Sequence, residues 1–277
     1  MQQVSVFATD KLRQKLAEEG NANELAKTYD GSYSDLPSMN NSKKWDFRAM
    51  NSARIISGKM DPNTQARIKT VAELMDRSKK TLDFGVGPGD ILAYLMSKGC
   101  KIDYTGIDIA QNFIDRMVKL FPEHKFFCQN IEDVESSSYQ QVLALEVFEH
   151  IDIPSLKNIY QHIWRMLSDK GNLIISVPIY EKLEDITLCC SQCGSLENAA
   201  GHVRAFTPHL VFAELELAGF KVVTYKYVWA QSANWIKGIL RRFLRPILKQ
   251  NPVTIVVKAE KTSLPSRFPA YRGSKEG

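Results

Sequence analysis

The chain has 277 residues, of which 44% are hydrophobic and 24% charged, a balance that excludes a disordered chain. Thirty-six Lys and Arg against 31 Asp and Glu leave a net charge of +5, short of the dense basic stripe of a dedicated nucleic-acid binder. No apolar run reaches the ~20 residues that a bilayer-crossing helix needs. The opening MQQVSVFATDKLRQKLAEEG has no basic start followed by an apolar stretch, so no secretory signal is expected. The five cysteines, Cys100, Cys128, Cys189, Cys190 and Cys193, then read as reduced thiols of a cytoplasmic protein.

Residues 1–64 are polar and irregular and form an expected N-terminal cap segment. It carries one candidate helix, Lys11 to Glu19, and a loop over Tyr29–Lys44. Trp45, Phe47, Met50, Ile55 and Ile56 are its anchors. Pro62 suits an early helix position with Asp61 as N-cap, and Ile68, Val71, Ala72, Leu74 and Met75 keep helical spacing to about Arg77. From Thr81 onward strands and helices alternate. Strands are expected at 81–84, within 101–109, and at 125–129, 141–145, 172–177, 221–229 and 253–259. Helices are expected at 91–98, 111–120, 154–167 and 208–217. Such alternation implies an α/β fold, a parallel sheet covered on both faces. A lid insertion is expected at about 179–206 and a disordered tail at 263–277.

The sharpest local signal is TLDFGVGPGDILAYL, with Asp83, Gly85, Gly87 and Gly89 between a strand and a helix. Glycines permit a tight turn and close approach of a ligand. The spacing is G-x-G-x-G rather than the dinucleotide G-x-G-x-x-G, and Asp90 would repel a pyrophosphate. Asp108 ends the next strand, where a carboxylate can accept both hydroxyls of a ribose. The two together suit a nucleoside with a positive or zwitterionic appendage.

With LDFGVGPGD, GIDIAQNFI, QNIEDV and ALEVFEHI in this order, residues 65–260 resemble the class I S-adenosylmethionine-dependent methyltransferases. The resemblance implies a Rossmann-like sheet of seven strands, mostly parallel, with the last antiparallel. It implies that Gly85, Gly87 and Gly89 line the cofactor, that Asp83 holds its ammonium and that Asp108 takes its ribose hydroxyls. Ile109 would lie against the adenine, with Asn130 and Ile131 at its amine and ring. Val86 departs from the commoner Gly, Ala or Cys, with no expected loss of binding.

Methyl transfer to oxygen needs aligned reactants and a base or metal for the hydroxyl. Glu146, Glu149 and His150 follow the fourth strand, where the ligands of such sheets bind, and Glu146 also borders the cofactor. The first two share a face if the chain turns helical there. His202 follows in GHVRAFTP. Glu149, His150 and His202 are the catalytic candidates, and Glu146, Glu149, His150 and His202 the candidate ligands of Mg²⁺ or Mn²⁺. Glu146-x-x-Glu149-His150 resembles a metal-carrying motif of ubiquinone-pathway O-methyltransferases and small-RNA 2′-O-methyltransferases. In many small-molecule methyltransferases the similar stretch orders a loop and binds no metal. His124, His162 and His209 read as surface residues.

Cys189, Cys190 and Cys193 hold one C-x-x-C and His202 a further donor, which is half a zinc site, so a lid is the preferred reading and no zinc is expected. The layout resembles polysaccharide-type methyltransferases, where it shapes the lid on the substrate side. Residues 235–249 read as a basic amphipathic helix, packed on the sheet edge or lying on an anionic membrane surface. The expected activity is S-adenosylmethionine-dependent O-methylation of a small molecule, a sugar or a lipid-linked glycan. RNA ribose 2′-O-methylation and a non-catalytic cofactor-binding protein of the same fold are the rivals.

Overall fold

The structure, a computed structural model, describes residues 45–46, 60–134, 139–189, 191, 194, 196–231 and 251–263. The expected helix over Lys11–Glu19, the loop over Tyr29–Lys44, the anchors Phe47, Met50, Ile55 and Ile56, the helix over 235–249 and nearly all of the tail lie outside these residues. So do Cys190 and Cys193.

Helix α1 spans Pro62–Leu74. Asp61 caps it, accepting from the Asn63 and Thr64 amides at 3.0 Å each. It stops three residues before the expected Arg77. Met75 is already extended, and Asp76 binds the Ser78 amide and hydroxyl, a local turn that competes with helix. Next come β1 (Thr81–Phe84), α2 (Asp90–Ser97), β2 (Tyr104–Asp108), α3 (Gln111–Leu120), β3 (Lys125–Cys128) and β4 (Tyr139–Leu145). They are followed by α4 (Ile153–Met166), β5 (Leu167–Pro178), the short β6 (Thr187–Cys189) and β7 (Leu196–Asn198), α5 (Pro208–Leu217), β8 (Phe220–Val228) and β9 (Thr254–Lys261). Strand β5 begins five residues earlier than expected, because Leu167 already pairs with Tyr139 across a register shift.

Seven strands form one sheet in the order β3-β2-β1-β4-β5-β9-β8. Neighbours from β3 through β5 are parallel. The last strand, β9, inserts antiparallel between β5 and β8. On one face α1, α2 and α3 close a core of Ile68, Val71, Leu95 and Met117 over Tyr104, Leu143, Ile174 and Val256. On the other face Phe148 stacks on Tyr160 of α4 with ring centroids 4.6 Å apart, and Tyr160 leans on Phe220 of β8. A buried Arg204–Glu214 ion pair ties the segment before α5 into that layer. Chain order reverses between β1 and β4, so a crevice opens beyond their carboxyl ends. Strands β6 and β7 pair antiparallel in a separate two-stranded sheet, within the residues of the expected lid.

Candidate active site

The turn after β1 is built from left-handed backbone. Gly85, Gly87 and Gly89 have φ of 74°, 51° and 76°, a region that side chains with a Cβ rarely enter. Both Gly85 and Val86 donate their amides to the Ile107 carbonyl, at 2.9 and 3.0 Å. The Gly87 amide donates to Asp108 Oδ2 at 2.9 Å. These bonds fasten the turn to β2. A Cβ on Gly85 would stand 2.6 Å from Val147. Gly89 differs from the expectation that all three glycines line the ligand: the cavity wall includes Gly85 and Gly87 but not Gly89. Its place is the start of α2, where a Cβ would collide with Met117.

Beyond the strand ends lies a cavity of about 340 Å³. Asp83, Asp108, Ile109, Asn130, Ile131 and Glu146 line it, as do Trp45, Arg67 and His150. Asp83 is 2% exposed. Tyr104 donates its hydroxyl to Asp83 Oδ2, while Oδ1 is buried and has no hydrogen-bond partner among the described residues. Burial pushes its carboxyl up to about 7, against the pull of the Tyr104 hydrogen bond, and the charge of Asp108 adds to the rise. Asp108 accepts from the Gly87 and Ala110 amides, one on each oxygen, both at 2.9 Å. Burial raises its pKa too, opposed by these backbone bonds. A third backbone amide, that of Ile109, also favours the charged form, and the carboxylate still has acceptor capacity for a ligand hydroxyl.

The wall also carries Asp90, Glu132 and Asp152, and among the described residues Arg67 is the one Lys or Arg in it. Arg67 reaches from α1 to Glu146 at 3.0 Å. The sequence reading missed this residue. An arginine in the helix ahead of the glycine turn was the available signal, but its spacing alone gives no sign that it faces the crevice.

Behind His150, which lines the cavity, Glu149 and His202 join it in a group, though neither of these two is part of the wall. One carboxylate oxygen and one nitrogen from each ring lie within 4.8 Å of one another. Glu149 is fully buried, and neither of its oxygens has a hydrogen-bond partner among the described residues. Burial, and then the Glu146 charge, push its carboxyl well above the usual range, while Arg67 pulls it back. His150 Nδ1 lies 3.0 Å from the Gly201 carbonyl, which can only accept, so Nδ1 carries a proton and, in the neutral ring, Nε2 holds the lone pair. The His150 ring meets Trp45 edge-on at 4.7 Å and His202 at 4.9 Å. Residues 179–206 supply His202: Asn198 Oδ1 accepts from the Ala200 and His202 amides, and the Val203 amide donates to the Glu149 carbonyl at 2.8 Å. His202 Nδ1 lies 2.7 Å from Glu181 Oε2.

Glu146 does not join this group, contrary to the expected four-residue ligand set. Only Phe148–His150 turn helical, so Glu146 and Glu149 share no face. Glu146 has φ of 56°, pairs with Arg67 and accepts from the Ser176 hydroxyl at 2.8 Å. His124, expected at the surface, has a side chain only 9% exposed and packs against Tyr104. His209 is exposed and His162 half-buried. Cys189 is exposed and bonds through sulfur to the Gly194 carbonyl.

Residues 57–225 match the family model described as a methyltransferase domain. The chain belongs to this methyltransferase family. It is an S-adenosylmethionine-dependent enzyme of the class I fold. No curated protein matches the sequence. Solved structures of similar fold include the [4+2]-cyclase SpnF, at 16% identity and TM-score 0.57 over 82% of this chain and 97% of that one. Another is 1,6-didemethyltoxoflavin-N1-methyltransferase from Burkholderia thailandensis, solved with its substrate and S-adenosylhomocysteine (18%, 0.54, 80% and 87%). A third is the N-methyltransferase NodS from Bradyrhizobium japonicum WM9 with S-adenosylhomocysteine (15%, 0.55, 80% and 98%). At these identities the likeness is one of fold, and a cyclase among methyltransferases illustrates that fold does not fix chemistry.

The cavity fits the cofactor. The buried, partnerless Asp83 Oδ1 matches an ammonium. The backbone-held Asp108 matches a ribose diol. Arg67 offers a guanidinium for a carboxylate, and the acidic side chains around it suit a sulfonium. Among the described residues no helix is long and apolar enough to cross a membrane.

Proposed function

We propose that this methyltransferase acts on a hydroxyl oxygen of a small molecule, a sugar or a lipid-linked glycan. The observation that carries the reading is His150. It lines the cavity, and the Gly201 carbonyl commits its Nδ1–H, leaving Nε2 basic. A hydroxyl is a poor nucleophile until its proton is taken, and an imidazole in this tautomer can take it. Bound S-adenosylmethionine supplies the electrophilic methyl group. Asp83, Asp108 and Arg67 hold the cofactor's polar ends, and the glycine turn keeps side chains out of its place. Trp45 packs on His150, fixing the ring and shielding it from water. His150 accepts the acceptor proton at Nε2, with His202 beside it as the next group able to receive it.

A second reading is supported by Glu149, a buried carboxyl group beside two imidazoles with no hydrogen-bond partner among the described residues. Glu149, His150 and His202 would hold Mg²⁺ or Mn²⁺, which would supply Lewis acidity toward the hydroxyl. Both imidazoles bind an acceptor through Nδ1, as metal-ligating histidines do.

The test is transfer of a labelled methyl group from S-adenosylmethionine to separated pools of metabolites, glycan lipids and RNA, with and without EDTA. Label in hydroxyl-bearing small molecules or glycans is expected, and label confined to RNA or to amines overturns the reading. Activity that survives EDTA assigns proton removal to His150. Activity lost in EDTA and restored by Mn²⁺ assigns the group to a cation.

A further inference from the structure

Glu181 lies outside the cavity wall and outside the three-residue group, yet it holds one of that group's members. Its Oε2 is 2.7 Å from His202 Nδ1, with side chains 26% and 13% exposed. A carboxylate oxygen facing Nδ1 favours a proton there, so in the neutral ring Nε2 is left as the lone-pair nitrogen. His202 is then held at three points: its amide by Asn198, its ring edge by His150 and its Nδ1 by Glu181. The local backbone supports the arrangement independently. Tyr180, the residue before Glu181, has φ of 62°, and its amide donates to the Phe206 carbonyl at 2.8 Å. A bulky residue in left-handed backbone is strained, and strain of this kind gathers where a side chain must be aimed. The other non-glycine residue strained beside the site is Glu146, just past the neighbouring strand β4.

We propose that Glu181 is a positioning residue that fixes the tautomer and ring orientation of His202. This rests on the reading of Glu149, His150 and His202 as the group that serves the acceptor. An ordinary surface ion pair is worth little and would leave His202 chemically unchanged when broken. A positioning carboxylate acts on His202 itself, and partners of this type typically change activity or ligand affinity 10–100-fold.

The first experiment needs no acceptor. Ring ¹⁵N resonances of histidine-labelled full-length protein saturated with S-adenosylhomocysteine are recorded at one pH for wild type, Glu181→Ala and Glu181→Gln, with His202→Ala identifying the resonance. Wild type should show His202 protonated on Nδ1. Glu181→Ala should populate the Nε2–H tautomer, and Glu181→Gln, whose amide oxygen can still accept, should restore most of the wild-type pattern. An unchanged tautomer in Glu181→Ala, in protein that still binds S-adenosylhomocysteine, overturns the proposal. The second experiment uses the pool fraction that wild type methylates. Glu181→Ala should lower kcat 10–100-fold with the KM for S-adenosylmethionine unchanged, and Glu181→Gln should recover most of the loss. A fall for His202→Ala with none for Glu181→Ala overturns this proposal alone. Full activity of His202→Ala overturns the reading of the group beneath it.

Discussion

The cofactor half of the cavity takes Asp83, the glycine turn and Asp108 from residues 83–108, one strand–turn–helix–strand unit closed by its own hydrogen bonds. The group proposed to serve the acceptor reaches the cavity through His150 and takes Glu149 and His150 from just past β4 and His202 from residues 179–206, with Glu181 from beyond β5 against His202. His202 meets Glu149 and His150 through two bonds from its own segment, the Val203 amide to the Glu149 carbonyl and the Gly201 carbonyl to His150. On the proposed assignment most of the cofactor contacts come from this local unit, with Arg67 added from α1, whereas the acceptor chemistry depends on tertiary assembly. The two should fail separately under mutation.

The largest separation is expected at His150. If it removes the acceptor proton, His150→Ala lowers kcat by a factor of ~10²–10⁴. Calorimetry with S-adenosylhomocysteine should show near-normal affinity in the same protein. Equal losses in rate and in cofactor affinity would erase the distinction between the halves.

Asp108→Ala should do the reverse. Loss of the ribose acceptor removes roughly 1.5–3 kcal/mol, the scale of a hydrogen bond to a charged group, so cofactor affinity falls ten- to a hundred-fold. The rate at saturating cofactor should change little. Unchanged affinity in folded protein would remove Asp108 from the cofactor site.

A smaller effect, on stability, is expected at Gly89. An alanine there must adopt φ near 76° and crowd Met117. The backbone term alone is about 1–2 kcal/mol. Thermal unfolding should shift down by roughly 2–8 °C. Because Gly89 is not part of the cavity wall, cofactor affinity should fall less than in Asp108→Ala. A larger affinity loss would return Gly89 to the ligand-contacting set.

The same division explains what the sequence made legible. The Asp61 cap, the bounds of α3 and the run from Asp83 to Asp108 depend on near neighbours, and local pattern reveals them. Glu146 was misassigned because the pattern supposed a helical turn, while the chain takes a positive φ that no non-glycine residue advertises. Arg67 and Glu181 were invisible because each acquires meaning from a distant partner, Glu146 and His202. The early start of β5 was hidden in SDKG, which reads as a turn, with Lys170 at a φ of 57° inside the strand. His124 looked like a surface histidine until Tyr104 covered it.

The subtlest expected effect is the pH dependence of the cofactor half, and it isolates Asp83 from Asp108. Asp83 is pushed up to about 7 from 3.8, mainly by burial. The native protein thus holds a proton that the unfolded chain releases near 3.8. This contribution to stability is fully present below that value and lost as pH rises to about 7. Melting of the ligand-free protein should reflect a loss from this group over that window. Cofactor affinity has the opposite sign, because an ammonium favours ionised Asp83. Affinity for S-adenosylhomocysteine should rise with pH from 5.5 and level off above about 7. The Tyr104 hydrogen bond lowers the Asp83 pKa, so Tyr104→Phe should move the midpoint upward, by about one unit if the bond contributes ~1.4 kcal/mol. A flat affinity profile from pH 5.5 to 8 would take Asp83 out of ammonium recognition and leave the ribose contact at Asp108 standing. An unmoved midpoint in Tyr104→Phe would instead keep Asp83 as the ammonium acceptor and reduce Tyr104 to packing.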